Sequence, residues 1–475
     1  MRMETYDFAV IGGGSAGYAA AAAAGRLGLK ACCIEGGKEV GGLCILRGCM
    51  PSKTFIESAN RFMTLRRAQE YGLRTGKIGF EPGEILARKR RLVGEFAGYR
   101  AHQLGSGRFK LLRGRARFLD ANRVEVQHLD PAGEPVSETS RVFASTFLIS
   151  TGSVIEAIDL PGLAEAGFLT SDSVLDSGHM PSSVIVLGGG AIALEFAHYY
   201  EALGSKVTII QRSPQVLKEA DADVAAALVH AYRQRGMEVF CGTRLLEVIP
   251  GPPRQVRFES NGRTHTAEGE EILYALGRTP AVTGLGLANA SVDQTRHGAV
   301  RVKTTMQTSQ PHIFAAGDVT GTFDIVHVAI EQGVLAAQNA ARLLRNEPLH
   351  AIDYRLQLFV MFSEPQVAYA GLTEKAAAAQ SVPVRTATYP FADHGKALVR
   401  GESEGFVKLL CHAHTGEILG GAVVGPEASE LIHEIMVAMY FRATAVQLAV
   451  IPHYHPTLSE IWTYPADELA AAVAG

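Results

Sequence analysis

The chain has 475 residues, of which 47% are hydrophobic and 20% charged, with a formal net charge of -3. At about 150 residues per domain, that balance predicts a soluble globular protein of about three domains. It excludes nucleic acid as an expected partner, and the lack of any run of ~20 apolar residues excludes a membrane span.

The apolar run that opens the chain is broken by Gly12, Gly13 and Gly14, so no secretory leader is read and a cytoplasmic location is expected. Residues 6 to 35, YDFAVIGGGSAGYAAAAAAGRLGLKACCIE, predict a strand, a glycine turn, an alanine-rich helix and a second strand from Lys30 to Ile34, closed by Glu35. Gly12 permits the tight turn, Gly14 lets backbone approach a pyrophosphate, and Gly17 lets the helix lie close on the strand. The phosphates meet the helix N-terminus, and Glu35 accepts hydrogen bonds from a ribose. An acid 18 residues beyond Gly17, in this strand-turn-helix context, points to a bound dinucleotide. Cys32 and Cys33 share the second strand, one on each face, and read as core.

Residues 41 to 53, GGLCILRGCMPSK, bring Cys44 and Cys49 close together between glycines. Six cysteines in so long a chain do not make a secreted disulfide scaffold. In a reducing compartment a close pair is metal-binding or redox-active. A structural zinc site needs two more ligands, and no second close pair exists; two inert core thiols remain the other alternative. No metal is expected. Residues 54 to 104 are rich in Arg, Glu, Ala and Leu and predict long helices, and the alternating runs of 107 to 149 predict an antiparallel sheet.

A second copy of the glycine turn lies at 183 to 212, SVIVLGGGAIALEFAHYYEALGSKVTIIQR, with Gly188, Gly190 and Ala193 in the key positions and a strand from Lys206 to Ile210. A redox-active cysteine pair needs an electron supply, so two different redox cofactors are expected. Gln211 and Arg212 stand where Glu35 stands in the first copy. An acid there suits a ribose 2'-hydroxyl and an Arg nearby suits a 2'-phosphate, so NADP(H) is favoured over NAD(H), with Lys218 a further cation. Arg212 as a plain solvated charge is the competing reading. From residue 350 on, strand-like QVAYAG, FVKLLCH and ILGGAVVG precede a helix, ASELIHEIMVAMYFRA, with apolar residues at helical spacing, an α+β pattern. Cys241 and Cys411 are lone and read as structural.

Seven motifs occur in one order: the first glycine turn, GGLCILRGCMPSK, STGS at 150 to 153, the second glycine turn, YALGRTP at 274 to 280, IFAAGDVTG at 313 to 321 and HPTLSE at 455 to 460. Together they resemble the class I pyridine nucleotide-disulfide oxidoreductases, the flavoprotein family of dihydrolipoyl dehydrogenase, glutathione reductase and mercuric reductase. The resemblance implies an α/β fold with two dinucleotide-binding (Rossmann-like) domains and a C-terminal α+β dimerisation domain. It divides the chain into an FAD-binding domain at 1–151, an NAD(P)-binding domain at 152–277, a return segment completing the FAD-binding domain at 278–349, and a dimerisation domain at 350–475.

Carried over residue by residue, the resemblance places FAD at Gly12, Gly14, Gly17 and Glu35. Gly42, Gly152, Gly277 and Gly317 belong to its cofactor-binding motifs, and Asp318 matches the acid of the flavin ribityl chain. Cys49 matches the flavin-proximal thiol and Cys44 the interchange thiol that attacks a substrate disulfide. His455 and Glu460 match an acid-base pair delivered from the other subunit of a homodimer, and Lys53 and Glu195 match an ion pair beside the flavin. The chemistry agrees, because exchange needs a thiolate and a free thiol near pKa ~8.5 is mostly protonated at neutral pH. A histidine near pKa ~6.5 can take and return that proton, with a carboxylate to fix its tautomer. Pro456 permits a cis bond after His455, which the resemblance favours. His453, Tyr454, Trp462 and Tyr464 read as interface residues.

PSK and HPTLSE resemble dihydrolipoyl dehydrogenase more than glutathione reductase, and Ala191 departs from the tyrosine of the latter. Gln211-Arg212 departs from the lipoyl enzyme's acid, and Leu46-Arg47 before Gly48 departs from its usual Asn-Val pair. Arg47 reads either as a cation that lowers a thiolate pKa or binds an anionic substrate, or as a surface charge. The end of the chain, YPADELAAAVAG, lacks the vicinal cysteines of mercuric reductases. The expected activity is an FAD-dependent NAD(P)H:disulfide oxidoreductase of dihydrolipoyl dehydrogenase type, passing two electrons between nicotinamide, flavin and the Cys44-Cys49 pair to a small-molecule or lipoyl-type disulfide. The alternatives are a related reductase of another small disulfide, a quinone or a soft metal ion, and a non-enzymatic flavin redox sensor.

Overall fold

The computed structural model describes residues 3–474. The chain falls into two units. The first gathers the residues up to Ser52, Ala87–Ala157 and Gly277–Asp353; the second gathers Lys53–Leu86, Ile158–Leu276 and the residues from Tyr354 on.

In the first unit the strand Met3–Ile11 lies parallel to Ala31–Glu35 on one side and to Pro135–Ile149 on the other. Lys110–Asp120 and Ile313–Ala315 extend this sheet at its two ends, again in parallel. Strands covered on both faces read as continuous apolar runs, and Phe8, Ala9 and Val10 are all fully buried. The register pairs Ile11 with both Ile34 and Ile149. The carboxyl ends of three strands thus meet where the glycine turn leaves the sheet, the place where open α/β sheets bind ligands. The alanine helix Ser15–Arg26 packs against Val326–Leu344.

The antiparallel sheet expected at 107 to 149 forms only in part. Lys110–Asp120 and Pro135–Ile149 pair antiparallel with Arg123–Leu129 at their outer ends, while their inner ends join the parallel sheet. A strand of 15 residues is long enough to serve both. The helices expected over 54 to 104 are Cys49–Arg66 and Pro82–Leu104. The first starts earlier than expected because Pro51 sits in its first turn, where a missing N–H breaks no helical bond. Gly72, Gly76 and Gly79 separate the two.

In the second unit five short parallel strands run in the order Glu238–Phe240, Lys206–Ile210, Ser183–Leu187, Glu271–Tyr274, Leu169–Thr170. The helix Ala191–Ala202 follows the second glycine turn. A separate five-stranded antiparallel sheet, Leu358–Met361, Gln366–Gly371, Ile418–Gly425, Phe406–His412, Val384–Pro390, carries the helices Ala428–Tyr440 and Thr463–Ala474. One core joins these parts of the unit, from Phe55, stacked on Tyr199 at 5.2 Å, to Met361 and Val424. Among the described residues no helix is long and apolar enough to cross a membrane.

Candidate active site

The first glycine turn is held by backbone packed on backbone. A Cβ on Gly17 would lie 1.8 Å from the Gly12 carbonyl oxygen, so the helix rests directly on the turn and tolerates no side chain there. Gly42 has φ +77° and its added Cβ would lie 2.6 Å from Gly14 Cα. The segment that carries the cysteines is therefore folded onto the dinucleotide turn. Glu35 is buried and accepts from the N–H groups of Gly13 at 2.7 Å and Gly37 at 2.6 Å. Nearby in the same unit, Thr151 presents a buried Oγ1 with no hydrogen-bond partner among the described residues. Ser153 Oγ donates to Asp318 Oδ2 at 2.7 Å and accepts from Arg278 Nε at 2.8 Å. Gly317 donates its N–H to Gln332 Oε1 at 2.7 Å. A cradle too tight for any Cβ, ending at an unmet buried hydroxyl, fits a bound dinucleotide. Asp324, which sequence reasoning passed over, is pushed up to about 6 by burial and by the charge of Asp318.

Cys44 lies in the short helix Leu43–Leu46, and Cys49 opens the helix Cys49–Arg66. Both are half-buried. Arg47 makes an ion pair with Glu39 at 3.0 Å. A cation whose charge couples to Cys44 is Arg100, which lies over the Tyr18 ring at 4.2 Å. Burial pulls its guanidinium down, yet an arginine stays charged in any protein setting. Sequence reasoning missed Arg100, since 56 residues separate it from Cys44 in a helix otherwise rich in surface charge.

In the second unit Gln211 stands against the second glycine turn: its Cγ is 2.9 Å from a Cβ built on Gly189. Glu35 Oε2 stands 2.7 Å from the same point on Gly13. The two copies therefore place Glu35 and Gln211 equivalently. Arg212 is exposed, and Lys218 is exposed beside Glu219 at 3.6 Å. Gly188 and Gly190 flank the start of the helix Ala191–Ala202, on which Glu195 sits. Glu195 takes Lys53 Nζ on both oxygens, at 2.9 and 2.8 Å, and the Phe362 N–H at 3.0 Å.

His455 Nδ1 lies 3.0 and 3.1 Å from the two Glu460 oxygens. The imidazole is 78% exposed and the carboxylate 9%. The His455-Pro456 peptide is cis. Glu460 is fixed in the short turn Ser459–Trp462, anchored by Trp462 Nε1 donating to the Leu431 carbonyl at 3.1 Å. His453 pairs with Glu434 at 2.7 Å. The structure thus gathers Gly12, Gly14, Gly17, Glu35, Gly42, Cys44, Cys49, Gly152, Gly277, Gly317 and Asp318 in the first unit. Lys53, Gly188, Glu195, Gly190, Gln211, Arg212, Lys218, His455 and Glu460 fall in the second.

Two dinucleotide turns, a cysteine pair folded onto the first, and a buried carboxylate orienting an exposed histidine define a two-electron thiol-disulfide oxidoreductase. Residues 6–333 match the pyridine nucleotide-disulphide oxidoreductase family, and residues 359–466 match the dimerisation domain of that family. The chain belongs to the pyridine nucleotide-disulphide oxidoreductases. It is 33% identical over 467 residues to the dihydrolipoyl dehydrogenase of Bacillus subtilis, covering 96% of each chain. It is 35% identical to that of Thermus scotoductus, again over 96% of each. Among solved structures, LpdA from Mycobacterium tuberculosis matches with a TM-score of 0.84 at 32% identity, covering 97% of this chain and 99% of the other. The chain is accordingly an enzyme, a flavoprotein disulfide oxidoreductase of lipoamide dehydrogenase type that uses FAD and a pyridine nucleotide, and its dimerisation domain makes it a homodimer.

Proposed function

We propose that the enzyme exchanges electrons between NADP(H), favoured over NAD(H), and a lipoyl-type disulfide or dithiol through Cys44 and Cys49. The observation that carries this reading is the packing of Gly42 on Gly14, which holds the cysteine segment against the first dinucleotide turn. Bound FAD supplies the two-electron exchange between a nicotinamide and the sulfur pair. Gly12, Gly14, Gly17 and Glu35 hold its adenosine end, with Gly42, Gly152, Gly277, Gly317 and Asp318 along the rest. Gly188, Gly190, Gln211, Arg212 and Lys218 would hold the nicotinamide nucleotide, and the Lys53–Glu195 pair lies in the same unit.

In the disulfide-reducing direction the Cys44 thiolate attacks one substrate sulfur and breaks the substrate S–S bond. The released substrate thiolate takes a proton from His455, which Glu460 orients through Nδ1. The Cys49 thiolate then attacks Cys44, forming the Cys44–Cys49 disulfide and releasing the second substrate sulfur as a thiolate that takes its proton from water. Two electrons leave the enzyme sulfurs and two reach the substrate. The reverse order oxidises a dithiol, with His455 as base.

A panel assay tests this. The purified holoenzyme is given NADH or NADPH with lipoamide, glutathione disulfide or a quinone. Fastest turnover with lipoamide is expected, and Cys44→Ser should abolish it while bound FAD remains. Undiminished lipoamide reduction by Cys44→Ser would remove the relay from consideration.

A further inference from the structure

Behind Glu460 lies a second histidine that the sequence motifs do not reach. His394 precedes the short helix Gly395–Arg400, and its side chain is wholly buried. Neither ring nitrogen has a hydrogen-bond partner among the described residues. Its Nε2 lies 3.5 Å from Glu460 Oε1, on the carboxylate already engaged by His455. The ring meets Phe391 edge-on at 6.5 Å and Tyr464 edge-on at 6.3 Å, while Tyr464 is stacked on Tyr389 at 3.9 Å. The aromatic walls fix the ring plane, and the ionisable groups facing it are Glu460, His455 and Tyr464, with Tyr389 behind.

An unmet polar group in so enclosed a place costs about 1 to 3 kcal/mol, and native proteins seldom keep one without use. A carboxylate offers about four lone-pair sites, and Nδ1 of His455 lies within reach of both oxygens, which leaves lone pairs to spare. The buried ring approaches Oε1 from inside the fold.

We propose that His394 is a positioning residue of the acid-base apparatus, its Nε2 set against Glu460 so that the carboxylate is held between two imidazoles, one exposed and one buried. This rests on the acid-base reading of His455. Burial favours the neutral ring, and a proton on the nitrogen nearest Glu460 is favoured by the carboxylate charge 3.5 Å away. Drawing part of the carboxylate charge inward weakens its hold on the His455 imidazolium. Removing the inner donor should therefore move the acid limb of the activity profile to higher pH.

The test uses the FAD-loaded dimer and dihydrolipoamide, comparing wild type, His394→Gln, His394→Met and His455→Ala. Gln and Met have similar length, but only Gln can donate at the Nε2 position. In the pH profile of kcat/KM, the acid limb of His394→Met is expected about 0.5 to 1 pH unit above wild type. The limb of His394→Gln is expected within a small fraction of that shift. A Met limb that coincides with wild type, or a Gln limb displaced as far as Met, overturns the assignment of His394. Should His394→Met not retain flavin, His394→Gln alone decides: a wild-type limb supports the role and a displaced one overturns it. If His455→Ala turns over dihydrolipoamide undiminished, the acid-base reading itself fails. If it is inactive while the His394 limbs do not separate, only the inner donor is lost.

Discussion

Gln211 stands in the second unit where Glu35 stands in the first, each against the middle glycine of its turn. Glu35 is occupied by two backbone N–H groups, whereas Gln211 donates its Nε2 to the Gln215 carbonyl at 3.3 Å. A neutral amide neither repels a 2'-phosphate nor competes for it as a carboxylate would. Arg212 is exposed beside it. Arg212→Glu should therefore move preference from NADPH toward NADH by about 1 to 3 kcal/mol, the size of a charge-assisted hydrogen bond. The ratio of kcat/KM values for the two nucleotides measures it, and an unmoved ratio would count against the assignment. At this scale the motif residues were legible because each stands at a fixed distance along the chain from a glycine or cysteine. His394 and Arg100 were not, because each meets its partner only through tertiary packing, 66 residues from Glu460 and 56 from Cys44.

The two strand-turn-helix units were legible as elements because period and glycine spacing agree, and they lie at Met3–Ile11 to Ala31–Glu35 and at Ser183–Leu187 to Lys206–Ile210. Where one strand serves two sheets, alternation alone could not say so. Another element-level feature left no local sign. Lys408, on the strand Phe406–His412, is 1% exposed and reaches Asp221 at 2.9 Å, Asp223 at 2.8 Å and Glu374 at 2.9 Å. The ammonium fills the space among three carboxylates that could otherwise hold a metal ion. Asp221 also accepts the N–H groups of Glu374 and Lys375, so one knot joins the start of the helix Ala222–Gln234 to that of Glu374–Ala379. Burial would push the ammonium down, but its hydrogen bonds to Asp223, Asp221 and Glu374 prevail and hold it above its usual value. A raised folded pKa stabilises fully below the unfolded value, about 10.5, and is lost as pH climbs through the folded value. Lys408→Met should cost about 3 to 5 kcal/mol near neutral pH, since it strands the buried Asp221. Chemical denaturation should show the gap from wild type closing above pH about 10.5; a gap constant to higher pH would deny the ammonium its part.

The whole molecule must be a dimer to work as proposed, and the second unit carries the surface for it. Val437, Tyr440 and Phe441 at the end of Ala428–Tyr440 are 57%, 64% and 75% exposed, and Val450 and Tyr454 are 75% and 83% exposed just before His455. Large apolar side chains grouped this way mark an interface, and these lie within the matched dimerisation domain. His455, at 78% exposure in the single chain, lies in the same stretch. Phe441→Glu would bury an unpaired charge in each half of a symmetric interface, and closing the dimer would then cost several kcal/mol per carboxylate. The residues that hold FAD are untouched, so the variant should elute as a yellow monomer. If His455 serves the cysteines of the other subunit, that monomer should lose thiol-disulfide turnover by about 100-fold or more, the scale of a missing general acid-base. Turnover should return as protein concentration is raised and dimers re-form, with the bound flavin unchanged throughout. A monomer that reduces lipoamide at the dimer's rate would place the acid-base histidine and the cysteines in one chain, and the service across the interface would be wrong.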